Sequence, residues 1–147
     1  MQNLLKVYQR IEPHIYNTPV LHSRLLNEAT QATVFLKCEN FQKTGSYKTR
    51  GASNAILNLS EEQRKKGVVT HSSGNFAGAL SLAAKNLGVK AYIVMPSSAP
   101  EIKRKAVFEY GGILTISGPT LAEREMASDK IQKETGATFI HPSNDLD

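Results

Sequence analysis

Cysteine occurs once in the 147 residues, at Cys38, so no disulfide can form within the chain. A reducing, cytoplasmic setting is the expectation that follows. No window approaches the roughly 18 consecutive apolar residues that a membrane helix needs, so no membrane partner is expected. The N-terminal MQNLLKVYQRIEPH lacks both a long apolar core and a small-residue cleavage site, which argues against a secretory signal. Low-complexity tracts and flexible linkers are absent too, and nothing in composition marks a domain boundary. Acidic residues are outnumbered, 13 against 18 basic ones, giving a net charge of +5 and a pI near 9.4. That excess raises a nucleic-acid partner, but the basic residues are scattered. Their densest groups, EEQRKK (61–66) and EIKRK (101–105), each begin with an acid and read as exposed helical faces. Without zinc-finger spacing, an aromatic recognition run or a basic arm, no nucleic acid is expected to bind.

What is present is enough for one ordinary domain: 40% hydrophobic and 21% charged residues, the balance of a soluble globular protein. Short β-rich runs start at 68 (VVT), 91 (AYIVM), 113 (ILTI) and 137 (ATFI), 22 to 24 residues apart. Each gap holds a helical pattern. In the first, Phe76, Leu80, Ala83, Ala84 and Leu87 recur at three- and four-residue spacing before Gly88. The second is expected to have Pro100 at its first helical position and Glu101 in its first turn, and to end at Gly111-Gly112. The third opens on Thr120-Leu-Ala-Glu123, a capping box, and stops at Gly136. Such a β-α-β-α-β-α-β series folds as an open parallel sheet with right-handed crossovers, an α/β architecture. Upstream, residues 2–12 pattern as an amphipathic helix, and Pro19 keeps YNTPVLHS extended. VFLKCEN (34–40) patterns as a strand and TGSYKTRGASNAILNL as a turn entering a helix. Ser60 and Gln63 again have capping-box spacing.

Two places can carry chemistry. Ser72, Ser73, Gly74 and Asn75 sit in the loop HSSGNFAG between a strand and a helix. In an open parallel sheet, ligands bind beyond the carboxyl ends of the strands, where helix N-termini direct donors outward. Capping of the helix by Ser and Asn explains the same residues equally well. Lys48, in TGSYKTRGA (44–52), stands where a turn enters a helix. Most lysines are solvated surface charges. A lysine becomes a nucleophile toward aldehydes when its amine is deprotonated, and a helix N-terminus disfavours the ammonium form.

KCENFQKTGSYKTRGASNA followed by SSGN at the next βα loop resembles the fold-type II pyridoxal-phosphate enzymes. More narrowly it is similar to their serine/threonine dehydratase and serine racemase group. NTPV (17–20), AYIVMPSSAPEIKRKAVFEYGG and the His141-Pro142 pair match in order and spacing, so the resemblance runs from about residue 15 to the end. It implies pyridoxal 5'-phosphate as cofactor, held by Lys48 as a Schiff base, with Lys48 then acting as base at the substrate's α-carbon. It implies that Asn75 hydrogen-bonds the cofactor's phenolic oxygen and that Ser72, Ser73, Gly74 and Asn75 cradle the carboxylate of a small amino-acid substrate. The implied reaction is β-elimination from L-serine or L-threonine, releasing a 2-oxo acid and ammonia. In racemases of this group the residue matching Ser73 exchanges a proton on the second face, so serine or aspartate racemisation is the implied alternative.

The chain departs from the group at Phe76, where many relatives have histidine, and at Gly78, where many have glutamine. Phe76 is expected to pack beneath its helix, at helical spacing from Leu80. A full-length relative continues beyond HPSNDLD into the glycine-rich loop that binds the cofactor phosphate and into the metal ligands of racemase-like members. No metal site is therefore expected here. The implied division is 1–50, N-terminal elements of the larger domain with the lysine segment; 51–140, a small parallel α/β domain; and 141–147, the return toward the larger domain. Val34, Leu36 and Ile56 are then expected to be exposed, favouring a homo-oligomer or a C-terminal half as partner. A non-catalytic truncated domain, active only in assembly or binding, is the third expectation.

Overall fold

The computed structural model describes residues 2–143. Helix α1 (Gln2–Ile11) leads into a short 3-10 turn, Glu12–His14, and then strand β1 (Val20–Leu21). Helix α2 (Arg24–Thr30) follows, capped by the Ser23 hydroxyl, and strand β2 (Leu36–Lys37) pairs antiparallel with β1. Two further 3-10 turns, Glu39–Phe41 and Lys43–Gly45, deliver the chain to α3 (Lys48–Asn58) and α4 (Glu61–Lys66). From there the fold alternates: β3 (Val68–His71), α5 (Asn75–Asn86), β4 (Ala91–Pro96), α6 (Glu101–Glu109), β5 (Ile113–Ser117), α7 (Leu121–Thr135) and β6 (Thr138–Phe139).

The four later strands make one parallel sheet in the order β5-β4-β3-β6. The expected open parallel α/β fold is therefore present. Crossovers β3-α5-β4 and β4-α6-β5 advance in one direction, whereas β5-α7-β6 returns to the far edge. Right-handed connections then put α5 and α6 on one face and α7 on the other. Every residue of β3 is buried, as a strand covered on both faces should be. The core runs from Ala52 and Ile56 of α3 through Leu80, Ala83 and Ala84 of α5 to Ile93 and Met95 of β4.

Local chemistry sets the boundaries. Ser60 and Thr120 each accept from the backbone N–H three residues on, and Gln63 and Glu123 accept in return from the cap residue's own N–H. Both capping boxes are as read from the sequence. Gly67 sits at φ +96°, where an added Cβ would lie 2.8 Å from the Lys90 carbonyl oxygen, so only glycine suits this entry to β3.

Four expectations need correction. The strand expected over 34–40 shrinks to Leu36–Lys37, because β1, the strand it meets among the described residues, is two residues long. Ile56 is fully buried, since α3 packs on α5 rather than standing free. Leu36, by contrast, is exposed as expected. Pro100 is the cap of α6 and Glu101 its first residue, one position later than a proline at the first helical position. Ser and Asn do not cap α5: Gly74 is the cap residue, without a side-chain cap bond. Of the return segment, Asn144 to Asp147 lie outside the described residues.

Candidate active site

The order β5-β4-β3-β6 makes the gap between β3 and β6 the place where connections diverge. The chain leaves β3 through Ser72–Gly74 toward one face and leaves β6 through Ile140–Ser143. Such a switch point, outside the carboxyl ends of the strands, is where open α/β sheets bind ligands. A cavity of about 170 Å³ lies there, lined by Tyr47, Lys48, Gly51, Phe76, His141, Pro142 and Ser143.

Lys48 is the first residue of α3, as the turn-to-helix pattern predicted. The preceding turn is tight: Thr44 and Gly45 both adopt left-handed conformations, at φ 61° and 70°. Thr44 carries the strain of a β-branched residue there, and its hydroxyl lies 2.9 Å from that of Thr49. The Thr49 hydroxyl also donates to the Lys43 carbonyl, closing the turn onto the helix it starts. Lys48 Nζ donates to the Pro142 carbonyl oxygen at 2.7 Å and sits 5.3 and 5.9 Å from the ring centroids of Tyr47 and Phe76. Phe76 is buried as expected, and it also walls the cavity. Packing and pocket-forming are the same act for this side chain.

Of the other predicted residues, Ser72 is buried, and its Oγ accepts from the Gly74 N–H at 3.4 Å. Ser73 and Gly74 are half-buried, and Asn75 is exposed at the start of α5. The Asn75 Oδ1 accepts from Lys103 Nζ at 2.6 Å. None of these four is part of the cavity lining; the loop reaches it through the adjoining Phe76.

The lysine turn is braced by a polar network that pattern reading did not find. Arg50 donates from Nε and Nη2 to the two carboxylate oxygens of Glu39, each at 2.8 Å, and Thr18 Oγ1 donates to Glu39 Oε1 at 2.6 Å. The Arg50 guanidinium holds the Glu39 carboxyl down at about 2. Buried Gln42 accepts from the Tyr16 and Lys43 N–H groups and donates to the Tyr16 carbonyl. Behind the cavity, burial pushes the His71 imidazole below its ordinary value, with Arg124 adding to the effect. Its ring lies 6.4 Å from that of His141. Thr18, Glu39, Gln42 and Arg50 all fall within quoted motifs, so their positions were visible even though their pairing was not.

The family described as pyridoxal-phosphate dependent enzyme matches residues 11–147. The chain belongs to this pyridoxal-phosphate dependent family. Within it, the chain is 50% identical over 143 residues to a serine racemase of Arabidopsis thaliana, covering 97% of this chain and 43% of that protein. It is 48% identical over 144 residues to the beta-hydroxyaspartate dehydratase of Paracoccus denitrificans, covering 98% and 46%. The structure of maize serine racemase superposes with a TM-score of 0.94 at 46% identity, covering 97% of this chain and 44% of that one. The chain thus spans less than half the length of these relatives. It is a fold-type II member of the dehydratase and racemase group, and the family's cofactor is pyridoxal phosphate.

The residues present fit the carbonyl end of that cofactor. A primary amine reaches into the cavity, and an aromatic wall stands beside it. The helix α5 leaves its first N–H groups without a side-chain cap. The Ser46 hydroxyl, two residues before Lys48, is buried with no hydrogen-bond partner among the described residues. Among those residues no group of three or more His, Cys, Asp and Glu could hold a metal ion, and no helix is long and apolar enough to cross a membrane.

Proposed function

We propose that this chain carries the lysine and the substrate loop of a pyridoxal-phosphate enzyme that eliminates water from L-serine or L-threonine, giving a 2-oxo acid and ammonia. The observation that carries the reading is Lys48 Nζ, held at the N-terminus of α3 in the cavity where β3 and β6 part. Serine and β-hydroxyaspartate, named by the relatives, are both 2-amino acids with a 3-hydroxyl, as is threonine. A single pocket for that skeleton accounts for the relatives' different names.

Bound pyridoxal phosphate supplies the electron sink that acidifies the substrate's Cα–H bond. The chain's own residues do the rest. Lys48 Nζ donates to the Pro142 carbonyl, so that carbonyl orients the group that takes the proton. Buried Phe76 keeps water from one side of the amine. Ser72, Ser73 and Gly74, with the open N-terminus of α5, bind the carboxylate. Asn75 is the residue that would hold the cofactor at its phenolic oxygen. Residues 1–50 act as part of a larger cofactor domain, 51–140 as the small domain, and 141–147 lead back.

Racemisation is the second reading, favoured by Ser73 and by the identity to serine racemase. Assay of both products separates the two: 2-oxo acid release and exchange of enantiomers, each with Lys48→Ala as blank. Ser73→Ala is expected to leave 2-oxo acid release within about threefold while cutting exchange by 10²-fold or more, the scale of a lost general acid or base. Equal loss of both would refute a separate role for Ser73. No product of either kind would refute the catalytic reading and leave a domain that acts in assembly.

A further inference from the structure

We propose that Lys103 is a positioning residue that fixes which end of the Asn75 amide faces a ligand. An asparagine amide has a carbonyl acceptor at one end and an NH₂ donor at the other, and a half-turn about its last bond exchanges them. An ammonium has three donors and no acceptor. The group 2.6 Å from Lys103 Nζ must therefore be the carbonyl oxygen, and the NH₂ is turned to the opposite side. Asn75 is the first residue of α5, whose opening backbone N–H groups have no side-chain cap. The whole end of the helix then offers donors. A donor-only set selects an acceptor, an oxyanion or a phenolate oxygen, and turns away a ligand that donates.

The arrangement depends on two elements meeting. Lys103 lies in the first turn of α6, and α6 packs on α5, so the ammonium and the amide come together only when both helices are in place. A ligand beside Asn75 thus senses α6 through one hydrogen bond. This inference rests on the proposed cofactor role of Asn75, although the orientation itself does not.

The test uses the 147-residue chain and its Lys103→Met, Lys103→Arg and Lys103→Glu variants, with folding checked by circular dichroism. Without cofactor, the Asn75 side-chain NH₂ resonances, assigned by their loss in Asn75→Asp, are expected to move in the Met and Glu variants and hold in Arg. Unmoved resonances in Lys103→Glu would overturn the proposal, because a carboxylate requires the opposite amide end. With pyridoxal phosphate, affinity by absorbance titration is expected to fall about tenfold in Lys103→Met, further in Lys103→Glu, and little in Lys103→Arg. In an Asn75→Ala background, Lys103→Met should cost nothing more. A persistent loss there would mean that Lys103 acts by its charge alone, which overturns the positioning role. Equal affinity in all variants, with borohydride reduction still fixing pyridoxal phosphate to Lys48, would do the same while leaving the Lys48 reading intact. Failure of the unaltered chain to label Lys48 would sink that reading, and the amide resonances would then decide the orientation.

Discussion

Glu39 shows how much a single side chain can contribute at this site. Its carboxylate takes two bonds from Arg50 and one from Thr18, and the pair is largely shielded from solvent. A carboxyl held near 2 in the folded state, against 4.5 ordinarily, stabilises the fold above pH 4.5 and loses that contribution as pH falls toward 2. Glu39→Gln is therefore expected to cost on the order of 2 kcal/mol at pH 7 and much less at pH 2 to 3. Urea melts across that range check it, and an equal loss at both ends would contradict the bridge. His71 works in the same direction by another route. Burial lowers its pKa, so the unfolded chain binds the extra proton, and stability present above pH 6.5 declines as pH drops below that value. Neither effect could be read from spacing. Glu39 and Arg50 are 11 residues apart on different elements, and Lys48 meets Pro142 across 94 residues. Periodicity is silent about such meetings.

The helices and strands from β3 onward were legible because the signals that make them are local. Alternation of short β-rich runs with 3.6-residue patterns needs no distant partner, and the boxes at Ser60 and Thr120 close within one turn. Thr120→Ala removes the hydroxyl's bonds to the Glu123 N–H and carboxylate while the Thr120 backbone N–H keeps its bond to Glu123, and it is expected to lower stability by about 1 kcal/mol, measured by chemical denaturation. No change would mean that α7 is held by packing alone. Elements that depend on pairing were read less well. β1 and β2 are two residues each, because among the described residues each has only the other to bond. The N-terminus of α5 was read with two meanings, cap or ligand site, and the missing side-chain cap favours the second. Deep in α5, Leu80 is fully buried between helix and sheet, so Leu80→Ala is expected to cost 2 to 5 kcal/mol, about the range for a buried leucine.

Across the molecule, apolar exposure gathers in the N-terminal third. Leu4, Leu5, Val20, Leu21, Leu25, Phe35 and Leu36 all face solvent, although α1 and the β1-β2 ribbon have the pattern of elements that pack. Relatives with more than twice the length have chain to spare for that surface. Alone, it is expected to draw copies together. The average mass in sedimentation should rise with concentration, and Phe35→Asp should reduce the rise; a monomer at all concentrations would contradict it. Whether the cofactor site assembles within these 147 residues is answered by adding pyridoxal phosphate, reducing with borohydride and mapping the peptides, with Lys48→Ala alongside. One adduct per chain on Lys48, absent from the variant, is the expected result. Labels spread over exposed lysines, unchanged in Lys48→Ala, would contradict a preformed lysine site.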